Sequence, residues 1–293
     1  MKKISTVAVI GAGVMGRQIA LNAAASGFET VLADSFPDAC DKAKAWADSY
    51  IAGRVEKGKM KKDVAEAALD HIIYTESIKE AVSGRDLIIE AIIEDEGIKR
   101  DLFLQVDNKA PKDAIIATNS SYIPSSRFAG DIENPGRLCN LHYFNPAMLM
   151  KLVEIVRGEH TDESTVESLK AFVPALGKEY IVVNKEIDGF VVNRLLRAVQ
   201  NEAFFLYRNG IASFNDIDTG AEKGLNYPMG PFRLLDLTGI DICYMNRLAV
   251  YEKTGRPEDE PPEFLKEKYE KGEFGKKAGK GWYDYRTGGE TNA

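Results

Sequence analysis

Residues 11–16, Gly11-Ala12-Gly13-Val14-Met15-Gly16, fit the pattern G-x-G-x-x-G and stand between an apolar run of strand length and a helical pattern closed by Gly27. The run covers residues 5–10 and the helical pattern residues 14–26, and a second strand-like run follows at 29–34. Strand, helix and strand this close together make a βαβ unit, which commits the chain to a parallel sheet. The glycines permit a tight turn, close approach of the backbone to a pyrophosphate, and close packing of helix on strand, while the free amides at the helix start face the anion. Asp34 closes the second strand 18 positions after Gly16. A carboxylate there accepts hydrogen bonds from a ribose 2′-hydroxyl and repels a 2′-phosphate. Ser35 and Phe36 supply no arginine to receive such a phosphate, so NAD is expected rather than NADP. Gly11, Ala12, Gly13, Val14, Met15, Gly16 and Asp34 are the candidate cofactor-binding residues.

The rhythm continues with helical patterns at 37–50, 96–110 and 163–175 and strand-like runs at 86–92, 114–118, 137–143, 151–156 and 180–183. Strands alternating with helices predict an α/β fold, a Rossmann-type doubly wound and largely parallel sheet, with ligands outside the carboxyl ends of the strands. Past Asp188 the pattern changes to a long helical stretch at 190–207 and helix-start chemistry at 213–221, with no convincing strand. The expected division is a sheet domain over residues 1–187 and a smaller all-helical domain over 188–293.

Composition narrows the functional classes. The 293 residues, 44 % hydrophobic and 28 % charged, suit one large domain or two with a substantial core. Thirty-eight basic minus 45 acidic residues leave −7, which lacks the positive field of a nucleic-acid or anionic-membrane binder. The longest apolar candidate, residues 87–93, contains Glu90 and is far short of the ~20 residues of a spanning helix. Cys40, Cys139 and Cys243 are odd in number and form no C-x-x-C, which points to reduced core thiols in a cytoplasmic setting and away from a zinc site. The apolar stretch after Met1-Lys2-Lys3 runs straight into the glycine loop, so it is expected to be the first strand and not a signal peptide.

Of the three histidines, His71 and His160 lie in polar surroundings, whereas His142 ends a strand in Leu141-His142-Tyr143-Phe144-Asn145-Pro146. That position suits either a core histidine or an acid/base group. Glu154 alternates with Leu152 and Val156 on one face of a later strand, where an unpaired buried carboxylate would cost several kcal/mol. A histidine would relieve it and be oriented in return; a strand edge, or an Arg or Lys partner, would serve as well. Asn119-Ser120-Ser121 follows the strand at 114–118 as a turn, a cap or a substrate contact. Asn193 is a polar residue in the first turns of the second domain's first helix, solvated or functional.

Together these pieces resemble the 3-hydroxyacyl-CoA dehydrogenase family, its short-chain members above all, along essentially the whole chain. The matching segments are the glycine fingerprint, Ile89-Glu90-Ala91-Ile92-Ile93-Glu94, Asn119-Ser120-Ser121, His142-Tyr143-Phe144-Asn145-Pro146, Met150-Lys151-Leu152-Val153-Glu154, residues 189–194, Pro228-Met229-Gly230-Pro231 and Gly279-Lys280-Gly281-Trp282-Tyr283. The resemblance implies that His142 is the general acid/base, Glu154 its orienting carboxylate, and Ser121 and Asn193 the substrate-contacting pair. It implies cofactor contacts from Glu94, Lys99, Asn119, Ser121 and Lys277, an acyl-CoA substrate, a homodimer formed through the helical domain, and a place in fatty-acid or butyrate metabolism. Departures from the family pattern are Ser120 for Thr, Tyr122 for Leu, Asn140 for Gly, Arg17 for a small residue and Asp188 for Pro. Tyr122 and Asn140 are expected to flank the site and bear on chain length.

In an acidic protein the phosphates of CoA must be met locally. Arg54, Lys57, Lys59, Lys61 and Lys62 against Glu56 give +4 within nine residues, either a solvated helix end or the phosphate site, with Arg54 and Lys57 as the expected contacts. Because Asn193 comes from the second domain, the site is expected where the domains meet. Two other readings use the same residues: a dehydrogenase of a free hydroxy or sugar acid on this fold, and a non-catalytic NAD-binding structural protein.

Overall fold

Val7 and Val9 enter one apolar cluster and Ala8 and Ile10 another, and all four are buried, the mark of a strand covered on both faces. In the computed structural model, which describes residues 1–286, that strand is β1 (Thr6–Ile10) of an eight-stranded sheet. The others are β2 (Glu29–Ala33), β3 (Ile72–Thr75), β4 (Leu87–Glu90), β5 (Ile115–Thr118), β6 (Leu138–Tyr143), β7 (Leu152–Val156) and β8 (Glu179–Val183), in spatial order β3-β2-β1-β4-β5-β6-β7-β8. β1 to β6 run parallel, β7 reverses against β6, and β8 follows β7. The carboxyl ends of six strands therefore share one edge of the sheet, and the glycine loop, Glu90, Thr118 and His142 all lie at or beside it.

Helix α1 (Val14–Ala25) covers one face with Ile19, Ala20, Ala23 and Ala24, and α6 (Glu163–Ala175) adds Leu169, Phe172 and Val173. The other face meets α4 (Ile78–Val82) and α5 (Glu96–Lys109) through Ala81, Val82, Leu102, Phe103 and Val106. This is the doubly wound sheet the sequence predicts.

Residues 51–85, where the sequence shows no clear periodic pattern, contain the rest of α2 (Ala39–Glu56), α3 (Lys62–Asp70), β3 and α4. Their patterns are weak for a physical reason. β3 is an outer edge strand with only Ile72 buried and Ile73 exposed, and α3 buries just Ala65 and Ala68. So little apolar surface gives no clear period to read.

The chain forms two compact units, Met1–Val191 and a second from Val192 on. The second is built of α7 (Val192–Arg208), α8 (Phe214–Thr219), α9 (Pro231–Thr238), α10 (Ile240–Thr254) and α11 (Glu263–Glu270) around Phe204, Phe232, Leu235, Ile240, Leu265 and Trp282. Two buried aspartates bind its turns. Asp218 accepts from the amides of Phe232 and Arg233 at 2.8 and 2.9 Å, and Asp236 from those of Trp282 and Tyr283, both at 2.9 Å. Any Cβ on Gly230 or Gly281 would collide with those carboxylates, which accounts for both glycine motifs as packing. Among the described residues no helix is long and apolar enough to cross a membrane.

Asp86, just before β4, ties that strand to β1 by accepting from the amides and hydroxyls of Ser5 and Thr6 at 2.9–3.1 Å. Burial opposes its charge, but these four donors outweigh burial and hold the carboxyl at about 2, below the ordinary 3.8. A depressed carboxylate stabilises the fold above the unfolded value and loses that contribution as pH falls through the folded one. Asp86→Asn is therefore expected to cost about 2 kcal/mol at pH 7 by urea denaturation. The gap from the parent should close as pH falls from 3.8 towards about 2; a gap independent of pH would refute this account of the carboxylate.

Candidate active site

The glycine loop is shaped by what its residues lack. Gly11 turns with φ +106°, and a Cβ there would press on the Ala91 carbonyl; a Cβ on Gly16 would overlap the carbonyl of Gly11 itself. Gly13 caps α1 without any side-chain hydrogen bond, and a Cβ on it would meet nothing within 4 Å. The start of α1 thus opens onto free space with uncapped amides, a cradle for a pyrophosphate. Asp34 supports the loop from β2. Its Oδ2 accepts from the Ala12 amide at 2.7 Å and its Oδ1 from the Phe36 amide at 3.0 Å, which fixes the carboxylate beside the loop.

One strand further along, a buried charge network organises the sheet edge. Glu90 is fully buried and accepts from Lys99 Nζ at 2.5 Å, the Ile92 amide at 2.7 Å and Thr118 Oγ1 at 2.6 Å. Lys99 was expected beside the cofactor, yet it is 1 % exposed and its ammonium is committed to Glu90 and, at 3.2 Å, to Glu94. The member of this network that reaches the open edge is Glu94, whose side chain is 40 % exposed. It accepts in turn from Ser120 Oγ and from the Tyr122 amide at 3.2 Å.

At the end of β6 the expected acid/base residues come together. His142 and Glu154 are directly opposite in the antiparallel β6–β7 register, and His142 Nδ1 lies 2.7 Å from Glu154 Oε2. On the other side of the ring, Nε2 lies 2.9 Å from Ser121 Oγ. The carboxylate is an obligatory acceptor, so Nδ1 carries the proton in the neutral ring and Nε2 accepts from the Ser121 hydroxyl. Glu154 is fully buried, and its Oε1 also accepts from the Val191 amide at 3.0 Å. Asn119 Oδ1 accepts from the Tyr143 amide at 2.9 Å, joining the loop that carries Ser121 to the end of β6.

Two aromatic rings to which the sequence alone assigns no role complete the histidine's surroundings. Phe144 meets the imidazole edge-on with centroids 4.7 Å apart, and Phe190 does so at 5.4 Å. Phe190 adopts φ +46° after Gly189 at +74°, a left-handed conformation that costs a branched or bulky residue about 1 kcal/mol or more. Burial of its ring with Val156 and Val183 offsets that strain, and the turn aims the following amide, Val191, at Glu154. The only available signal was position, next to Gly189 in a segment already singled out.

The remaining candidates come from other elements of the chain. Asn193 is in the first turn of α7, half-buried. Lys277, also in the second unit, pairs with Asp241 at 2.7 Å. Arg54 in the last turn of α2 and Lys57 just beyond it line a groove with Tyr50, Gly53, Lys59 and Leu149, the last from the loop between β6 and β7. Asn140, expected to flank the site, is fully buried and hydrogen-bonded to the Ser121 loop.

Comparison with known proteins adds to this geometry. Residues 6–187 match the family model of the 3-hydroxyacyl-CoA dehydrogenase NAD binding domain, and residues 189–285 match that of the 3-hydroxyacyl-CoA dehydrogenase C-terminal domain. A 3-hydroxybutyryl-CoA dehydrogenase of Bradyrhizobium diazoefficiens is 35 % identical over 97 % of this chain and 96 % of its own length. The crystal structure of (S)-3-hydroxybutyryl-CoA dehydrogenase from Ralstonia eutropha superposes with a TM-score of 0.85 at 34 % identity, covering 97 % of this chain and 99 % of that one. A diketoreductase, described as acting on dicarbonyl compounds, superposes with a TM-score of 0.89 at 32 % identity over 97 % of this chain and all of its own.

Proposed function

The chain belongs to the 3-hydroxyacyl-CoA dehydrogenase family, and from that premise we propose that it interconverts (S)-3-hydroxybutyryl-CoA and acetoacetyl-CoA. It is an oxidoreductase with NAD as cofactor, which when bound exchanges a hydride with the carbinol carbon of the substrate. The glycine cradle, the uncapped start of α1 and Asp34 suit that cofactor, since the loop leaves room for a pyrophosphate and the carboxylate suits an unphosphorylated ribose. Glu94 and Asn119, at the ends of β4 and β5, are assigned to its nicotinamide half. Lys99 acts on it only through Glu94, and Lys277 is kept as a contact from the second unit. Residues 1–187 are assigned to cofactor binding and 188–293 to substrate binding and dimerisation.

The observation that carries the reading is the line of contacts from Ser121 Oγ to His142 Nε2 and from Nδ1 to Glu154. In the oxidative direction the substrate hydroxyl takes the place of Ser121 at Nε2 and gives up its proton there. Glu154, held in place by the Val191 amide, stabilises the imidazolium that results. In the reductive direction the imidazolium returns the proton to the carbonyl oxygen. Ser121 and Asn193 hold the reacting oxygen and the thioester, a positioning and electrostatic role. Phe144 and Phe190 keep water from the ring edges.

For the CoA phosphates the groove of Arg54 and Lys57 is supported by its charge and by Leu149, which comes from the loop that follows His142. Exposed Leu195, Phe205, Ile211, Leu237 and Met245 in the helical unit support a homodimer, to be read as mass by light scattering. The three free cysteines suit a reducing, cytoplasmic setting. The diketoreductase match favours a second reading, a dehydrogenase of carbonyl compounds without CoA.

Assay of NADH oxidation with acetoacetyl-CoA beside acetoacetate separates the two readings: turnover confined to the thioester is expected, and equal rates on the free acid would overturn the CoA assignment. In the same assay His142→Gln is expected to lose about 10³-fold or more in kcat while NADH still binds; an undiminished rate would remove His142 from the chemistry. Lys57→Glu is expected to raise KM for acetoacetyl-CoA with little change in kcat, and an unchanged KM would take the phosphates elsewhere.

A further inference from the structure

Asn140 sits two residues before His142 on β6 and therefore on the same face of the strand. It is fully buried, and three hydrogen bonds leave its carboxamide for one target, the loop that follows β5. Oδ1 accepts from the Ser125 amide at 2.8 Å, and Nδ2 donates to the carbonyls of Ser120 at 3.3 Å and Ile123 at 3.1 Å. The backbone partners fix which end of the amide is which, because an N–H can only donate and a carbonyl can only accept.

The placement has a topological reason. The parallel β5–β6 ladder ends at the pair Thr118–Asn140, and beyond it the loop departs from β6. From that point side chains continue the pairing: Asn119 reaches across to the Tyr143 amide and Asn140 reaches back to three points of the loop. Ser121 lies between these anchors. The Ser120 carbonyl that Asn140 holds belongs to the very peptide that leads into Ser121, so the carboxamide sets the orientation of that peptide plane. A glycine, alanine or leucine at position 140 would leave two carbonyls and an amide to find other partners in a buried place.

We propose that Asn140 is a positioning residue that holds the Ser120–Ser125 loop so that Ser121 Oγ stands within hydrogen-bond reach of His142 Nε2. Histidine and loop are thereby registered by one strand: β6 carries the base, and two residues earlier it carries the clasp for the hydroxyl that meets the base. Asn140 touches neither substrate nor cofactor and acts only through Ser121. The catalytic part of this inference rests on the role proposed for Ser121; the structural part does not.

A double-mutant cycle with Ser121→Ala tests the catalytic part. Asn140→Ala is expected to lower kcat with acetoacetyl-CoA about 10-fold or more, with KM for NADH held near the parent value, and to cause no further loss once Ser121 is alanine. The same loss in both backgrounds would show that Asn140 acts on the fold at large and would overturn the proposal. The ¹⁵N resonance of His142 Nε2 tests the structural part without reference to activity. In Asn140→Ala it is expected to move to its position in Ser121→Ala, since both variants remove the same hydrogen bond; a resonance that stays at the parent position overturns the clasp. Should Ser121→Ala keep full kcat while the resonance moves as expected, the role of Ser121 fails and the clasp stands. Asn140→Ser, which keeps one short donor and acceptor, replaces Asn140→Ala in both measurements if the alanine variant does not fold.

Discussion

The arrangement turns on a single buried carboxylate. Glu154 has no exposed surface, and an ion so placed is tolerated only when its oxygens are met by donors. His142 Nδ1 meets one oxygen and the Val191 amide the other. The first contact requires β7 to run antiparallel to β6, since that register sets residues 142 and 154 face to face, in a sheet whose other pairings are all parallel. The second requires the chain beyond β8 to turn through Gly189 and Phe190 in left-handed conformations and present the next amide to the carboxylate. A histidine oriented in this way presents Nε2, unprotonated when neutral, towards the open edge of a cofactor-binding sheet.

Other polar groups extend that order along the edge. Glu90 gathers Lys99, Thr118 and the Ile92 amide into one buried network, whose partly exposed member, Glu94, holds the Ser120 hydroxyl and the Tyr122 amide. Asn119 and Asn140 bind the same loop from its two sides. Nearly every polar side chain at the carboxyl ends of β4, β5 and β6 is therefore occupied in holding a neighbour, and such a network fixes geometry when every member is satisfied. Ser121, half-buried at the edge, is the product of this support, a hydroxyl placed by residues that hold its loop.

Much of this was legible in the sequence, and for identifiable reasons. The strand-glycine-helix order and the position of Asp34 are local features, so the cofactor half of the sheet could be read from periodicity and spacing. Glu154 is conspicuous as a charge on an apolar strand face, and its need for a partner makes a histidine one candidate beside an Arg, a Lys or a strand edge; the family resemblance is what names His142. Illegible features were those whose reason lies far away in sequence or in a weak pattern. β3 and α3 bury too few apolar side chains to show a period. Lys99 enters the sequence analysis as a cofactor contact implied by the resemblance, and its pairing with Glu90 nine residues earlier leaves no local pattern to read. Asn140 reads only as a residue flanking the site, because its three partners belong to a loop 15–20 positions earlier in the chain.

The central claim is that Glu154 fixes the histidine in one tautomer, with the proton on Nδ1 and Nε2 left as the base. Long-range ¹H–¹⁵N spectra of the ¹⁵N-histidine-labelled protein read this directly, at a pH where the ring is neutral. With only three histidines in the chain, the signal is assigned by its loss in His142→Gln. The account requires a protonated, pyrrole-type Nδ1 and a pyridine-type Nε2 for His142. The reverse pattern, with the proton on Nε2, would contradict it.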